Sequence, residues 1–405
     1  MVIEMFPAEN GDAFLIRLEN EKNIMVDMGY GETYKRFIKD RLINLKSKNQ
    51  CIDLLIITHI DEDHIEGAIE FFKDNGYADN PNIIEVKEIW YNSYRHLQFS
   101  KEKVSQISGF EKRKLEEMIL ANSVNSRNMI NESAPISANQ GSTLAGYLYG
   151  FGYGEKRWNK AFNCKAINLD TNSVFELEDM KFYILSPNTK KLKNLANLWV
   201  NKLSEIDIDF NISDDKVFDD AYEMYIKKLK EDIDLNENND ISYKLREFKS
   251  IVSDDIKQIN KDKSKSNGSS ISFILEYKEK RVVFLGDAHE DIIVENLEKY
   301  MKNNGISYFD AIKISHHGSL KNNFAWIEKI KSKRYLISTN GKKHNHPDKE
   351  VIAKILQCNN KEKFLYFNYY IDLCKEMDND ELKDKYNYSI EVGDGKSIVK
   401  IEVNA

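Results

Sequence analysis

Residues 58–67 read THIDEDHIEG and follow the apolar run Asp53 to Ile57, DLLII. A short run of this kind, rich in β-branched residues and bounded by polar residues, reads as a strand buried on both faces. It would deliver His59 to the strand's C-terminal end, where α/β sheets build their sites. The next residues are acidic at 61, 62 and 63, then His64, with the helical pattern EGAIEFFK behind them. At a strand exit, the i, i+2 spacing can turn His59 and Asp61 to one side. Asp63 and His64, at the start of the following helix, can face a second position a few ångströms away. Imidazole and carboxylate are ligands that zinc and manganese accept, and a set without thiols is not that of a structural zinc finger.

The other histidines point the same way. There are only 8 in 405 residues, and six fall in three short stretches: His59 with His64, His316 with His317, and His344 with His346. The two later stretches, KISHHGS and NGKKHNHP, follow apolar strand-like runs, as does FLGDAHE around Asp287. Two ligands per ion are too few, so Asp287, His317 and His346 are the candidates to complete two ion sites. Asp287 can bridge, because a carboxylate offers two oxygens.

Composition limits the alternatives. Lys+Arg of 59 against Asp+Glu of 66 leaves a formal charge of −7, which argues against a surface built to grip long nucleic acid non-specifically. Such a balance leaves room for an enzyme that meets a few nucleotides through metal ions. The four cysteines, at 51, 164, 358 and 374, form no CxxC pair and read as reduced thiols. The N-terminus lacks a basic stretch followed by a long apolar one, and no run approaches the roughly 20 apolar residues of a spanning helix. The expectation is a cytoplasmic protein that does not enter a membrane.

Along the chain, VIEMF, DAFLIRLE and NIMVDMG read as consecutive strands and TYKRFIKDRLINLK as a helix. SVFELEDMKFYILSP reads as a hairpin arm ending at Pro187, and FEKRKLEEMILANSV as a helix. The polar stretch KQINKDKSKSNGSS, residues 257–270, has the composition of a flexible surface linker. After it, strand and helix patterns alternate to about residue 356, which argues for a layered α/β domain. Residues 95–265 are expected to hold a mostly helical insertion in one domain spanning 1–405, a possible route to a homo-oligomer or a protein partner.

THIDEDHIEG, FLGD, KISHHGS and NGKKHNHP together resemble the metallo-β-lactamase superfamily, and within it the competence-protein (ComEC/Rec2-like) hydrolase branch. That branch carries an aspartate where the superfamily's HxHxDH motif has its second histidine, as Asp61 does here. NGDAFLI, the VDMG around Asp27, the LSP at 185–187 and NGSSISFIL are similar to its other landmarks. The resemblance covers about residues 1–90, 170–188 and 267–365. It implies a four-layered αββα sandwich with the site where the two sheets meet. It also implies two divalent metal ions, zinc or manganese: His59, Asp61 and His317 on one, Asp63, His64 and His346 on the other, and Asp287 between them. The superfamily's further histidine would fall between these motifs, where His96 is the one candidate.

The expected activity is metal-dependent hydrolysis by a hydroxide shared between the ions. A phosphodiesterase or nuclease acting on a nucleic acid, nucleotide or other phosphodiester is the foremost reading. A hydrolase of another small ester or amide, such as a phosphorylcholine ester, and a partner-gated module are the alternatives. Asp63 and His316 are the catalytic candidates; His316 or His344 could protonate a leaving oxygen. Ser319, Asn340 and His344 are candidate substrate contacts, although Ser319 also suits a helix cap.

Overall fold

The computed structural model describes residues 1–97, 108–110, 112–115, 143–205, 219, 221–223, 246–257, 260–358 and 361–404. The strands are β1 (Val2–Met5), β2 (Ala13–Arg17), β3 (Asn23–Met28), β4 (Leu54–Ile56), β5 (Ile89–Trp90), β6 (Val174–Leu177), β7 (Met180–Ser186), β8 (Ser272–Tyr277) and β9 (Lys280–Phe284). They continue with β10 (Tyr308–Phe309), β11 (Ala311–Lys313), β12 (Lys331–Ser332), β13 (Arg334–Ile337), β14 (Lys363–Phe367), β15 (Tyr388–Val392) and β16 (Val399–Glu402). One sheet has the order β16-β1-β2-β3-β4-β5 and the other β15-β14-β13-β11-β9-β8-β7-β6, while β10 and β12 form a short pair.

Side-chain alternation shows how the sheets stack. Phe14 and Ile16 of β2, Ile24 and Val26 of β3, and Leu54 and Ile56 of β4 share one core with Phe273 and Leu275 of β8, Val282 and Phe284 of β9, and Leu336 of β13. Their neighbours one residue away point outward. Leu15, Met25 and Leu55 pack under the helices Lys39–Ser47 and Glu62–Asn75, and Ile274, Val283, Tyr335 and Ile337 under Glu290–Asn304 and Lys349–Gln357. Period-2 strands with apolar residues on both faces need cover on both sides. Three cores between four layers make a four-layered αββα sandwich, the fold class expected from the sequence.

Several expected elements appear with the same limits to within a residue or two. The helix over TYKRFIKDRLINLK runs from Gly31 to Ser47, with a wider π-type segment over Tyr34–Ile38. SVFELEDMKFYILSP is the antiparallel β6–β7 hairpin, which joins the eight-stranded sheet. Most of FEKRKLEEMILANSV and much of the expected insertion lie outside the described residues. None of the four cysteines forms a disulfide. Among the described residues no helix is long and apolar enough to cross a membrane.

One segment differs from its sequence reading. Residues 257–270 are not a surface linker throughout: Ser266, Asn267, Ser269 and Ser270 are buried, and Asn267–Ser269 forms a 3-10 turn. Lys261, Lys263 and Lys265 face solvent, while the small polar residues hydrogen-bond inward. Its polarity reflects an internal hydrogen-bond network.

Candidate metal centre

The site lies at the C-terminal ends of β3, β4, β9, β11 and β13, where the chain leaves each strand. Asp27 is the penultimate residue of β3, and the helix Glu62–Asn75 that follows β4 opens on buried Asp63 and His64. That helix comes close because residue 67 is glycine; a Cβ there would lie 2.0 Å from the carbonyl oxygen of Met28. Asp61 precedes the helix, its carbonyl accepting from the amides of His64 and Ile65. After β11, His316 and His317 both adopt positive φ, 45° and 51°. Asp27, His344 and Asn345 do the same. A left-handed backbone costs a residue with a side chain about 1 kcal/mol or more and tends to persist where surrounding structure enforces it, often at functional sites.

Asp287 is the hub. Its Oδ2 stands 3.6 Å from Nε2 of both His64 and His317, and 3.8 Å from Nε2 of His59 and of His316. Nε2 of His317 is 3.5 Å from Asp63 Oδ2, and Nε2 of His64 is 4.0 Å from the same oxygen. His59 Nε2 is 3.0 Å from Asp61 Oδ2, and Ser266 Oγ donates to Asp61 Oδ1 at 2.6 Å.

The far side of each ring fixes which nitrogen offers a lone pair. Thr58 donates its amide and its hydroxyl to Asp27, so its oxygen can only accept from His59 Nδ1, 3.0 Å away. His64 Nδ1 donates to Asp27 Oδ2 at 2.8 Å, and His317 Nδ1 to the carbonyl of Ser338 at 3.0 Å. Asn322 gives its amide nitrogen to Asp262 Oδ2 at 2.9 Å, which turns its Oδ1 to His316 Nδ1 at 3.1 Å. All four rings are therefore anchored through Nδ1, and in its neutral form each would direct an Nε2 lone pair inward. Oxygen partners behind imidazoles set ring and tautomer in this way at metal sites.

Both carboxylate oxygens of Asp287 and the Nε2 atoms of His64 and His317 are buried and have no hydrogen-bond partner. Unsatisfied buried acceptors that all face one another are costly without a cation. Ligands bonded at 2.0–2.2 Å in a tetrahedron lie about 3.4 Å apart, close to the spacings above. Three groupings bring ligand atoms within metal-binding reach: His59, His64 and Asp287; Asp63, His64 and His317; and Asp12, Asp27 and His64. The residues present fit divalent metal ions.

The charge distribution agrees. Burial pulls the His64 imidazole down, but Asp287, Asp27 and Asp63 outweigh it and hold the ring well above its ordinary pKa. For His317 burial is likewise outweighed, by Asp287 and Asp12, and its pKa stands at about 9. Burial would raise the Asp287 carboxyl, yet His317, His64 and His316 keep it well below the usual range. His316 is the exception: burial dominates Asp287 and Asp262 and lowers it to about 4. With Nδ1 held by Asn322, His316 turns its Nε2 towards Asp287.

Two of the ligands implied by the resemblance have other neighbours than the ones it implies. His317 Nε2 stands 3.5 Å from Asp63 Oδ2, and His317 falls in one grouping with Asp63 and His64, whereas the resemblance implies His59 and Asp61 as its companions. His346 enters none of the three groupings; its ring lies 5.5 Å from that of His316, and its Nδ1 is 3.5 Å from Asp348. His344 continues this line outward, 5.9 Å from His346. Asn340 Oδ1 accepts from the Lys342 amide and shapes its own turn. Ser319 is buried, and its carbonyl accepts from Asn322 and Asn323. His96 lies apart, its ring edge-on to Trp158. Asp12, Lys313, Asp262, Ser266 and Asn322, none of them a sequence candidate, complete the surroundings.

Residues 7–110 match the family model described as the metallo-beta-lactamase superfamily, a group made up mostly of hydrolytic metalloenzymes. That stretch contains Asp12, Asp27 and the whole 58–67 motif. A search of curated proteins found no match to the chain.

Proposed function

We propose that this chain is a metal-dependent phosphodiesterase that cleaves nucleic acid or nucleotide substrates with two divalent ions, zinc or manganese, held around Asp287. The observation that supports it most is the convergence of four Nδ1-anchored imidazoles on one carboxylate whose two oxygens have no hydrogen-bond partner. When bound, two such ions supply a nucleophile from water near neutral pH and offset charge on a phosphoryl group. His59, Asp61, Asp63, His64, His317 and Asp287 would hold the ions, with His316 at the rim of the set. The chain's own contribution is orientation. Asp27, Ser338 and Asn322 fix the rings, and Ser266 restrains Asp61. The loop Asn340–Pro347 leads away from His316 through His346 and His344, with Lys342 exposed on it. In this reading the loop meets the substrate's phosphate backbone. A local basic loop of this kind is compatible with a chain that is acidic overall.

The test is a substrate panel with metal-stripped protein resupplied with Mn²⁺ or Zn²⁺. It comprises bis(p-nitrophenyl) phosphate, single- and double-stranded DNA, RNA and a p-nitrophenyl carboxylic ester. Metal-dependent cleavage of phosphodiesters, lost in Asp63→Ala and Asp287→Ala, is the expected result. Cleavage of the carboxylic ester alone would replace this reading with that of a small-ester hydrolase. A folded, metal-loaded protein inert on every substrate would favour a partner-gated module.

A further inference from the structure

Lys313 is the last residue of β11, in the otherwise apolar stretch Ala311–Ile314, and its side chain is 1% exposed. An ammonium buried this deeply is rare unless paired. Its Nζ forms an ion pair with Asp12 Oδ2, donates to the carbonyl of Gly286 at 3.2 Å and lies 3.8 Å from Asp287 Oδ1. Asp12 is equally buried, and its other oxygen, without a hydrogen-bond partner, is 3.5 Å from His317 Nδ1. Gly11 holds Asp12 against the ligand helix: a Cβ on Gly11 would fall 2.0 Å from the carbonyl oxygen of Asp63, which also accepts from the Asp12 amide at 3.2 Å.

Asp12 also belongs, with Asp27 and His64, to the third grouping; its Oδ2 lies 3.9 Å from His64 Nδ1, and an ion there would have to replace the proton that this nitrogen gives to Asp27. The buried carboxylates of the centre are Asp12, Asp27, Asp61, Asp63 and Asp287. Before any water is deprotonated, five carboxylates against one ammonium leave four negative charges, the number two divalent ions neutralise. A third ion would overshoot this balance, and loss of the ammonium would leave a buried carboxylate unpaired.

Building on the two-metal reading, we propose that Lys313 is a built-in third cation of the centre, a tethered ammonium that holds Asp12 and so limits the site to two divalent ions. Lys313 is a positioning residue; it acts through Asp12 on the ligand set.

The experiment counts metal per full-length chain, by equilibrium dialysis of stripped protein against Mn²⁺ or Zn²⁺ and elemental analysis, with thermal unfolding followed with and without the ion. Wild type and Lys313→Arg are expected to bind two equivalents. Lys313→Met is expected to bind a third, and its melting temperature to depend more steeply on metal than that of wild type. The double variant Lys313→Met/Asp12→Asn, which removes the buried pair together, is expected to return to two. If Lys313→Met folds only with metal, rescue by the divalent ion and by Asp12→Asn supports the same assignment. Two equivalents in Lys313→Met with wild-type affinity, or no rescue by either route, would overturn it. A wild-type count below two contradicts the two-metal reading itself, so the two failures are distinguishable.

Discussion

Asp27 touches both Thr58 and His64 and is fully buried, so it sets two of the four rings without facing the central carboxylate. Removing such a partner from behind a ligand typically costs 10–100-fold in metal affinity. Asp27→Ala is therefore expected to weaken Mn²⁺ or Zn²⁺ binding by about that factor in a calorimetric titration while leaving the ligands in place; unchanged affinity would mean that Asp27 is merely structural. At this scale the sequence was informative where chemistry is concentrated. Eight histidines, six of them clustered behind apolar strands, could hardly be scattered surface residues. Asp262 gave no such signal, being a single carboxylate in a polar loop of a chain rich in them, and Asp12 stood out only as part of the NGDAFLI landmark. Lys313 did leave one, as a lone charge in an apolar strand. The neighbours of His317 were not legible, because spacing along the chain does not reveal which way two consecutive left-handed residues aim their rings.

Elements were legible wherever one period dominated. The strands and the long helices follow the expected limits because their alternating or helical apolar faces each meet a core. Residues 257–270 misled because a polar segment tied down by internal hydrogen bonds has the same composition as one in water. The turn Tyr94–Leu97 raises a related point about a buried histidine outside the site. Burial, aided by Arg95, lowers the pKa of His96 from 6.5 to about 3, and its Nδ1 accepts from the Ser93 amide at 3.1 Å. Its folded-state pKa lies below its unfolded one, so the unfolded chain takes up the proton first. Stability is lost progressively as pH falls from 6.5 towards 3, by about 2 kcal/mol at pH 5. Denaturant unfolding of wild type and His96→Gln over this range should show a shallower decline in the variant; parallel curves would mean that His96 does not carry the effect.

The molecule as a whole explains why these residues meet at all. Two sheets share one core, and strands from both direct their C-terminal ends to the same edge: β3 and β4 from one side, β9, β11 and β13 from the other. Ligands separated by more than 220 positions in sequence, such as Asp61 and Asp287, are neighbours because of this layered closure and not because of local spacing. The charge of the chain, −7, is spread widely, whereas the carboxylates at this edge are buried and matched by imidazoles and one lysine. The proposed function requires two divalent ions, one on either side of Asp287. Anomalous diffraction from crystals of the full chain soaked in Mn²⁺ or Zn²⁺ tests it most directly. Two peaks about 3.5–4 Å apart, both in contact with Asp287 and one within reach of His59 and the other of His317, are the predicted result. A single ion, or ions bound away from Asp287, would contradict it.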